Sequence, residues 1–201
     1  LDRAITINPQ YVLAYVNRSY VYTNKGDYDR AIADLDTAIA LNSQNADAYY
    51  GRGFVYINKG DYDRAIADYT QAIALNPQYA YAYNDRGYAY NQKGDYDRAI
   101  TDLDKAIALD PQFANPYKNR GYAYNGKGDY DHAIADFDKA ITLNPQYAVA
   151  YFFRGEAYDK TGQRERAIAD LEKALQLGLK PKGVEPDFKQ LAEALLAKLK
   201  K

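Results

Sequence analysis

Residues 26–32 read Gly-Asp-Tyr-Asp-Arg-Ala-Ile, and the same seven residues return at Gly60–Ile66 and Gly94–Ile100. At Gly128–Ile134 they return once more with His132 in place of the arginine. Each step is 34 residues. Outward from this string, Asn8-Pro9, Asn76-Pro77, Asp110-Pro111 and Asn144-Pro145 keep the same step, with Asn42-Ser43 filling the gap. Residues 46–79 laid on residues 80–113 without gaps give 21 identities in 34. A fixed period of this length is the mark of a repeat architecture.

The pattern inside one unit is helical. Ala65, Ile66, Tyr69, Ala72 and Ile73 follow the spacing of one helix face. Gly60 fits a left-handed residue ending the preceding helix, and Asp61 fits an N-cap for the following one. Asn76 can close that second helix, and Pro77 suits the first turn of the next. Each unit therefore reads as helix, tight turn, helix, tight turn. Such a pair cannot bury both faces alone, so stacked neighbours must supply a continuous core.

Composition narrows the function. The formal charge is -1 with acids and bases nearly balanced, which gives no reason to expect nucleic acid or an anionic membrane as partner. There is no cysteine, so disulfides, thiolate metal sites and cysteine nucleophiles are excluded, while the compartment is left undecided. No apolar run is long enough to span a bilayer. The single histidine, His132, stands in the repeat's arginine column (Arg30, Arg64, Arg98) and reads as a helix-surface substitution. Asn125-Gly126-Lys127-Gly128 lacks the strand and the ending that a phosphate loop needs. The pairs Asp27/Asp29, Asp61/Asp63, Asp95/Asp97 and Asp129/Asp131 fit helix capping better than calcium, since no closing bidentate glutamate follows. No cofactor or metal is expected, and no catalytic constellation is present.

The unit A-x-A-Y-x-x-R-G-x-x-Y-x-x-K-G-D-Y-D-R-A-I-x-D-x-x-x-A-I-A-L-x-P resembles the tetratricopeptide-repeat (TPR) family. Its large aromatic early in the first helix is Tyr15, Tyr49, Tyr83, Tyr117 and Tyr151 here, and its second aromatic is Tyr22, Tyr56, Tyr90, Tyr124 and Tyr158. The small residue is Gly53, Gly87, Gly121 and Gly155, with Ser19 in the first unit. The resemblance implies an all-α α-solenoid of antiparallel helix pairs in a right-handed superhelix, a protein–protein interaction role and no enzymatic activity. It divides the chain into residues 1–11, the second helix of a truncated repeat; repeats at 12–45, 46–79, 80–113, 114–147 and 148–181; and a capping helix in 182–201. Leu1–Ile7 reads as the tail of a helix whose partner precedes the chain. After a linker at Gly178–Gly183, residues 186–200 read as an amphipathic helix with Phe188, Leu191, Leu195 and Leu199 on one face.

One departure from the family concerns charge. Where a leucine is common, this chain has Arg18, Arg52, Arg86, Arg120 and Arg154, and each unit carries an aspartate on its second helix, Asp34, Asp68, Asp102, Asp136 and Asp170. A repeated charge facing a core needs a partner, and bidentate arginine–carboxylate geometry supplies one. The expectation is five pairs within repeats; the alternative is that both residues point to water.

Tyrosine is the compositional anomaly, at 23 residues. Most fall in the structural columns. In TPR folds the first helices line the concave face, and four variable columns point away from the core. The five tyrosines outside the structural columns, Tyr20, Tyr50, Tyr81, Tyr88 and Tyr122, all fall there, as do Phe54, Phe152, Asn84, Asn91, Asn125 and Lys118. The expectation is an aromatic groove with amides beside it, because tyrosine combines large buried area with a polar tip and asparagine can pair with a peptide backbone. The alternative is that these rings only pack against one another. The clamp of Lys, Arg and Asn that TPR modules use for acidic chaperone tails is absent, with Lys118 as the main candidate cation and Phe153 where a clamp asparagine belongs. The expected partner is a protein or peptide, with no nucleic acid and no membrane insertion. Self-association through the truncated N-terminal end, and service as the accessory arm of a longer enzyme, are the alternative uses.

Overall fold

A computed structural model describes residues 1–179 and 187–200; of the expected linker, residues 180–183 lie outside them, as does Pro186. Among the described residues there are twelve helices and no strand. The chain divides into two compact bodies, Leu1–Lys93 and Gly94–Lys201, with the boundary between the two helices of the third repeat.

The N-terminal body holds α1 (Asp2–Ile7), α2 (Val12–Asn24), α3 (Tyr28–Leu41), α4 (Ala46–Lys59), α5 (Tyr62–Leu75) and α6 (Ala80–Gln92). Helices α2 and α3 form one antiparallel pair and α4 and α5 the next; α3 packs on α4 and α5 on α6. The C-terminal body holds α7 (Tyr96–Leu109), α8 (Ala114–Lys127), α9 (Tyr130–Leu143), α10 (Ala148–Lys160), α11 (Arg164–Leu177) and α12 (Phe188–Leu199). Here α8 pairs with α9 and α10 with α11, and α12 covers α10 and α11.

Small residues explain the close packing. The alanines at 31, 65, 99, 133 and 167, and at 38, 72, 106, 140 and 174, are fully buried. A Cβ added at Gly53 would come within 2.8 Å of the Tyr69 ring, and one at Gly121 within 2.7 Å of Phe137. The small column of the first helix is therefore a slot for the largest side chain of the second helix. Gly60 (φ 75°) and Gly128 (φ 79°) end α4 and α8 in the left-handed region, which other residues enter at a cost. Asp61 caps α5 by accepting from the Arg64 amide at 3.1 Å, and Asp27, Asp95 and Asp129 cap their helices likewise.

Two local expectations need correction. Pro77 is not in the first turn of a helix: α6 starts at Ala80, and Asn76 Oδ1 accepts from the Gln78 amide at 3.1 Å, which makes residues 76–79 a separate turn. In α12 the inward face is Phe188, Ala192 and Leu199, with Leu195 and Leu196 partly buried, while Leu191 points to solvent. The helix starts at Phe188, two residues later than the expected 186, with Asp187 as its cap.

Candidate binding surface

The repeated arginines come first, because they fix the first helices against the second. In the N-terminal body Arg18 Nε donates to Asp34 at 2.8 Å and Nη2 to the other oxygen at 2.7 Å; Arg52 grips Asp68 at 2.8 Å through both. In the C-terminal body Arg120 and Arg154 hold Asp136 and Asp170 in the same bidentate way, at 2.7–2.8 Å. Arg86 and Asp102 belong to different bodies; within its own body Arg86 donates to Thr70 Oγ1 at 2.9 Å. The aspartates are buried and the guanidinium groups are mostly covered. Hydrogen bonding to the buried carboxylate holds Arg18, Arg52 and Arg120 well above the ordinary arginine value, so they stay charged.

Sequence reasoning missed the second half of this arrangement. The third guanidinium nitrogen reaches an aspartate of the preceding repeat: Arg18 to Asp2 at 2.6 Å, Arg52 to Asp36 at 2.5 Å, Arg154 to Asp138 at 2.5 Å, and Arg120 to Asp104. Each arginine thus joins two helices of its own repeat to the one before. The signal was available, since Asp2, Asp36, Asp104 and Asp138 also keep the 34-residue step. Lys59–Asp29 at 2.7 Å and Lys127–Asp97 at 2.5 Å add a more exposed rung between repeats.

The expected groove residues separate into three groups. Tyr20, Phe54 and Tyr81, on α2, α4 and α6, are 64%, 38% and 55% exposed. Tyr50, Tyr88, Lys118, Tyr122 and Asn125 are half-buried. Tyr50 donates to Asp85 at 2.8 Å and stacks near Tyr79, with ring centroids 4.9 Å apart; burial first, and Asp85 second, hold its hydroxyl protonated. Lys118 donates to Asn119 at 2.6 Å. Asn84, Asn91 and Phe152 are buried.

These placements revise the groove. Phe152 is 1% exposed and lies 5.3 Å from Phe188 of α12, so it is core and not part of an open row. Asn84 is spent on Asp85 at 2.7 Å, and Asn91 is 3% exposed. Asn125 donates one of its two amide hydrogens to the carbonyl of Phe153 on the next first helix at 3.2 Å, which ties it to the neighbouring repeat. The turn tyrosines also acquire a role: Tyr79 donates to Asp47 and Tyr147 to Asn115, each at 2.8 Å, which ties a turn to the preceding first helix.

His132 lies 2.7 Å from the cap Asp129 and stacks on Tyr124 with centroids 5.2 Å apart. Arg30 and Arg64 sit in the same manner over Tyr22 and Tyr56, at 4.8 and 4.5 Å. The column covers an aromatic ring, whichever residue fills it. Among the described residues no helix is long and apolar enough to cross a membrane, and no group of three or more His, Cys, Asp or Glu side chains could hold a metal ion.

Stacked helix pairs with ion-paired seams and exposed aromatics on the first helices define an α-solenoid scaffold. The chain belongs to the tetratricopeptide repeat family: models of the tetratricopeptide repeat match residues 1–33, 55–112, 114–147 and 148–178, and one of the TPR repeat matches residues 20–60. The chain is 30% identical to MamA in a crystal structure, over 79% of this chain and 93% of that one, with a TM-score of 0.71. It is 25% identical to YrrB, described as a TPR protein with an unusual peptide-binding site, over 88% and 91% of the two chains with a TM-score of 0.69. The Cut9–Hcn1 hetero-tetramer of APC/C shares the fold at 20% identity and a TM-score of 0.84, over 98% of this chain and 38% of that one. No curated protein matched the chain.

Proposed function

We propose that the protein is a non-enzymatic scaffold that binds a peptide or protein segment along its first helices, with Tyr20, Phe54 and Tyr81 as anchors. The observation that carries this reading is their exposure on three successive first helices of one body. Fold stability does not require large aromatics in water, whereas interfaces favour them, because each ring buries much area at little entropic cost. YrrB, a structure of similar fold, is described as having a peptide-binding site. The test is capture from the native source by wild type and by a Tyr20→Ala/Phe54→Ala/Tyr81→Ala variant, with circular dichroism confirming that both are folded. The variant loses the wild-type partners; retention of all of them at equal strength would remove the anchors.

A second reading has its own support. Ile7, at the end of the short helix α1, is 75% exposed, and Leu1, its N-cap, also lies open; α1 has no buried residue. Self-association through that end predicts mass that rises with concentration in light scattering and falls on Ile7→Asp.

A further inference from the structure

The C-terminal body contains a cleft that the exposed anchors do not explain. It measures about 200 Å³ and is lined by Tyr96, Tyr122, Asn125, Phe153, Glu156 and Lys160. A sequence departure makes it. Asn24, Asn58, Gln92 and Lys160 occupy one position of the first helices, and in α8 that position is Gly126. A Cβ there would fall 2.3 Å from the Tyr96 ring, so only glycine lets Tyr96 fold over α8. Tyr122 meets Phe153 edge-on at 5.0 Å and forms another wall.

Two acceptors stand out among the polar groups in this cleft, the Asn125 amide oxygen and the Glu156 carboxylate. Asn125 donates one of its two amide hydrogens to the Phe153 carbonyl, which fixes the amide orientation, and its Oδ1 is buried with no hydrogen-bond partner among the described residues. Glu156 is half-buried beside the rings, and the groups acting on it, Lys160 and Asp159, do so through their field and not through a hydrogen bond. Asp159 is itself paired with Lys198 of α12 at 3.4 Å. From α7, α8 and α9 the titratable groups lining the cleft are the hydroxyls of Tyr96, Tyr122 and Tyr130. An unsatisfied amide oxygen, a carboxylate and aromatic walls together call for one chemistry, a hydrogen-bond-donating cation.

We propose that this cleft takes the basic side chain, arginine or lysine, of the bound segment. The inference rests on the reading of the protein as a peptide-binding scaffold and names the residue that its C-terminal body selects. Lys160 is the internal competitor, a cation at the rim. Burial raises the Glu156 carboxyl to about 7, with Lys160 lowering it and Asp159 raising it further. A cation binds the ionised form, so affinity should rise about tenfold between pH 6 and pH 8, following the ionised fraction.

The experiment uses the full chain and a defined probe, N-acetylarginine methylamide, with the citrulline analogue as the uncharged control of equal shape. Binding is followed by amide NMR shifts at Asn125, Glu156 and Lys160. The expected result is arginine-selective shifts that strengthen with pH. Glu156→Gln, nearly isosteric, should abolish the selectivity, and Lys160→Gln should tighten binding at pH 8. Equal response to arginine and citrulline, or selectivity that survives Glu156→Gln, would overturn the proposal. If the cation site fails while partner capture still depends on Tyr20, Phe54 and Tyr81, the scaffold reading stands without it. Arginine selectivity in a protein that captures nothing would uphold the cleft and sink the scaffold reading.

Discussion

The first helices of the N-terminal body carry large aromatics into solvent, whereas those of the C-terminal body fold theirs inward. Tyr20, Phe54 and Tyr81 are exposed in the first body. In the second, Tyr122 leans on Phe153, and Phe152 and Phe153 are sealed by Phe188. The repeat is the same, with the same alanines, glycine slots and arginine–aspartate forks, so the framework does not account for the difference. A few non-repeating positions do. Position 153 of the C-terminal body is phenylalanine where the equivalent places are Asn17, Gly51, Asp85 and Asn119, and α12 supplies the ring that covers it. The lesson is that periodic residues build the solenoid and the aperiodic ones decide which body presents a surface and which presents a pocket.

The largest effect that tests this contrast is at Phe153, which contacts Tyr122, Phe137, Phe152 and Phe188. Phe153→Ala should destabilise the C-terminal body by about 3–5 kcal/mol, read by hydrogen exchange of α8–α12. Exchange in α2–α5 should be unchanged; equal loosening of both bodies would contradict a local role for Phe153. Next come the forks common to both. Arg52→Ala and Arg120→Ala each strand a buried carboxylate and should cost about 3 kcal/mol in their own body. Replacing Arg52 by Leu and Asp68 by Ala together should cost much less, because no unpaired charge remains. If single and double changes are equally mild, the forks are only surface pairs.

A smaller effect separates the bodies by pH. Glu156 has its carboxyl raised from 4.5 to about 7 by burial, so the folded protein holds that proton more tightly than the unfolded chain. The sign follows: stability conferred by the protonated form is complete below 4.5, declines as pH rises, and is gone above 7. The loss should be on the order of 2 kcal/mol, after discounting for partial exposure. Denaturant unfolding of the C-terminal body at pH 4.5 and pH 8 measures it, and Glu156→Gln should flatten the dependence. An unchanged slope in that variant would place the titration elsewhere.

Much of the framework was legible in the sequence. The 34-residue step, Gly60 as a helix stop, Asp61 as a cap and the pairing of Arg52 with Asp68 follow from local rules and a repeated charge. The second partner of each arginine was legible too, in the periodicity of Asp2, Asp36, Asp104 and Asp138, and was overlooked because one aspartate already satisfied the charge. The candidate surface was less readable. Phe152 looked like a groove residue because its column varies and projects away from the core of its own repeat; its ring packs on Phe188, some 36 residues away. Tyr96 is a member of a regular column, and only the missing side chain at Gly126 turns it into a wall of a cleft. Leu191 fits an apolar stripe on spacing alone, but α12 presents Ala192 to the body because a small residue lets the helix approach more closely.

The smallest structural effect carries the most functional weight. Alanine at Tyr20, which is 64% exposed, should change stability by no more than about 0.5 kcal/mol, and at the partly covered Phe54 and Tyr81 by about 1 kcal/mol. Their role is tested most directly by photo-crosslinking in the native source. A benzophenone side chain is installed in turn at Tyr20, at Phe54, at Tyr81 and at the exposed Ala33 on the second helix α3. The first three positions should capture the same partner, and Ala33 should capture none. Capture of that partner at Ala33 with none at the three aromatics would contradict it, and would move the binding surface to the second helices.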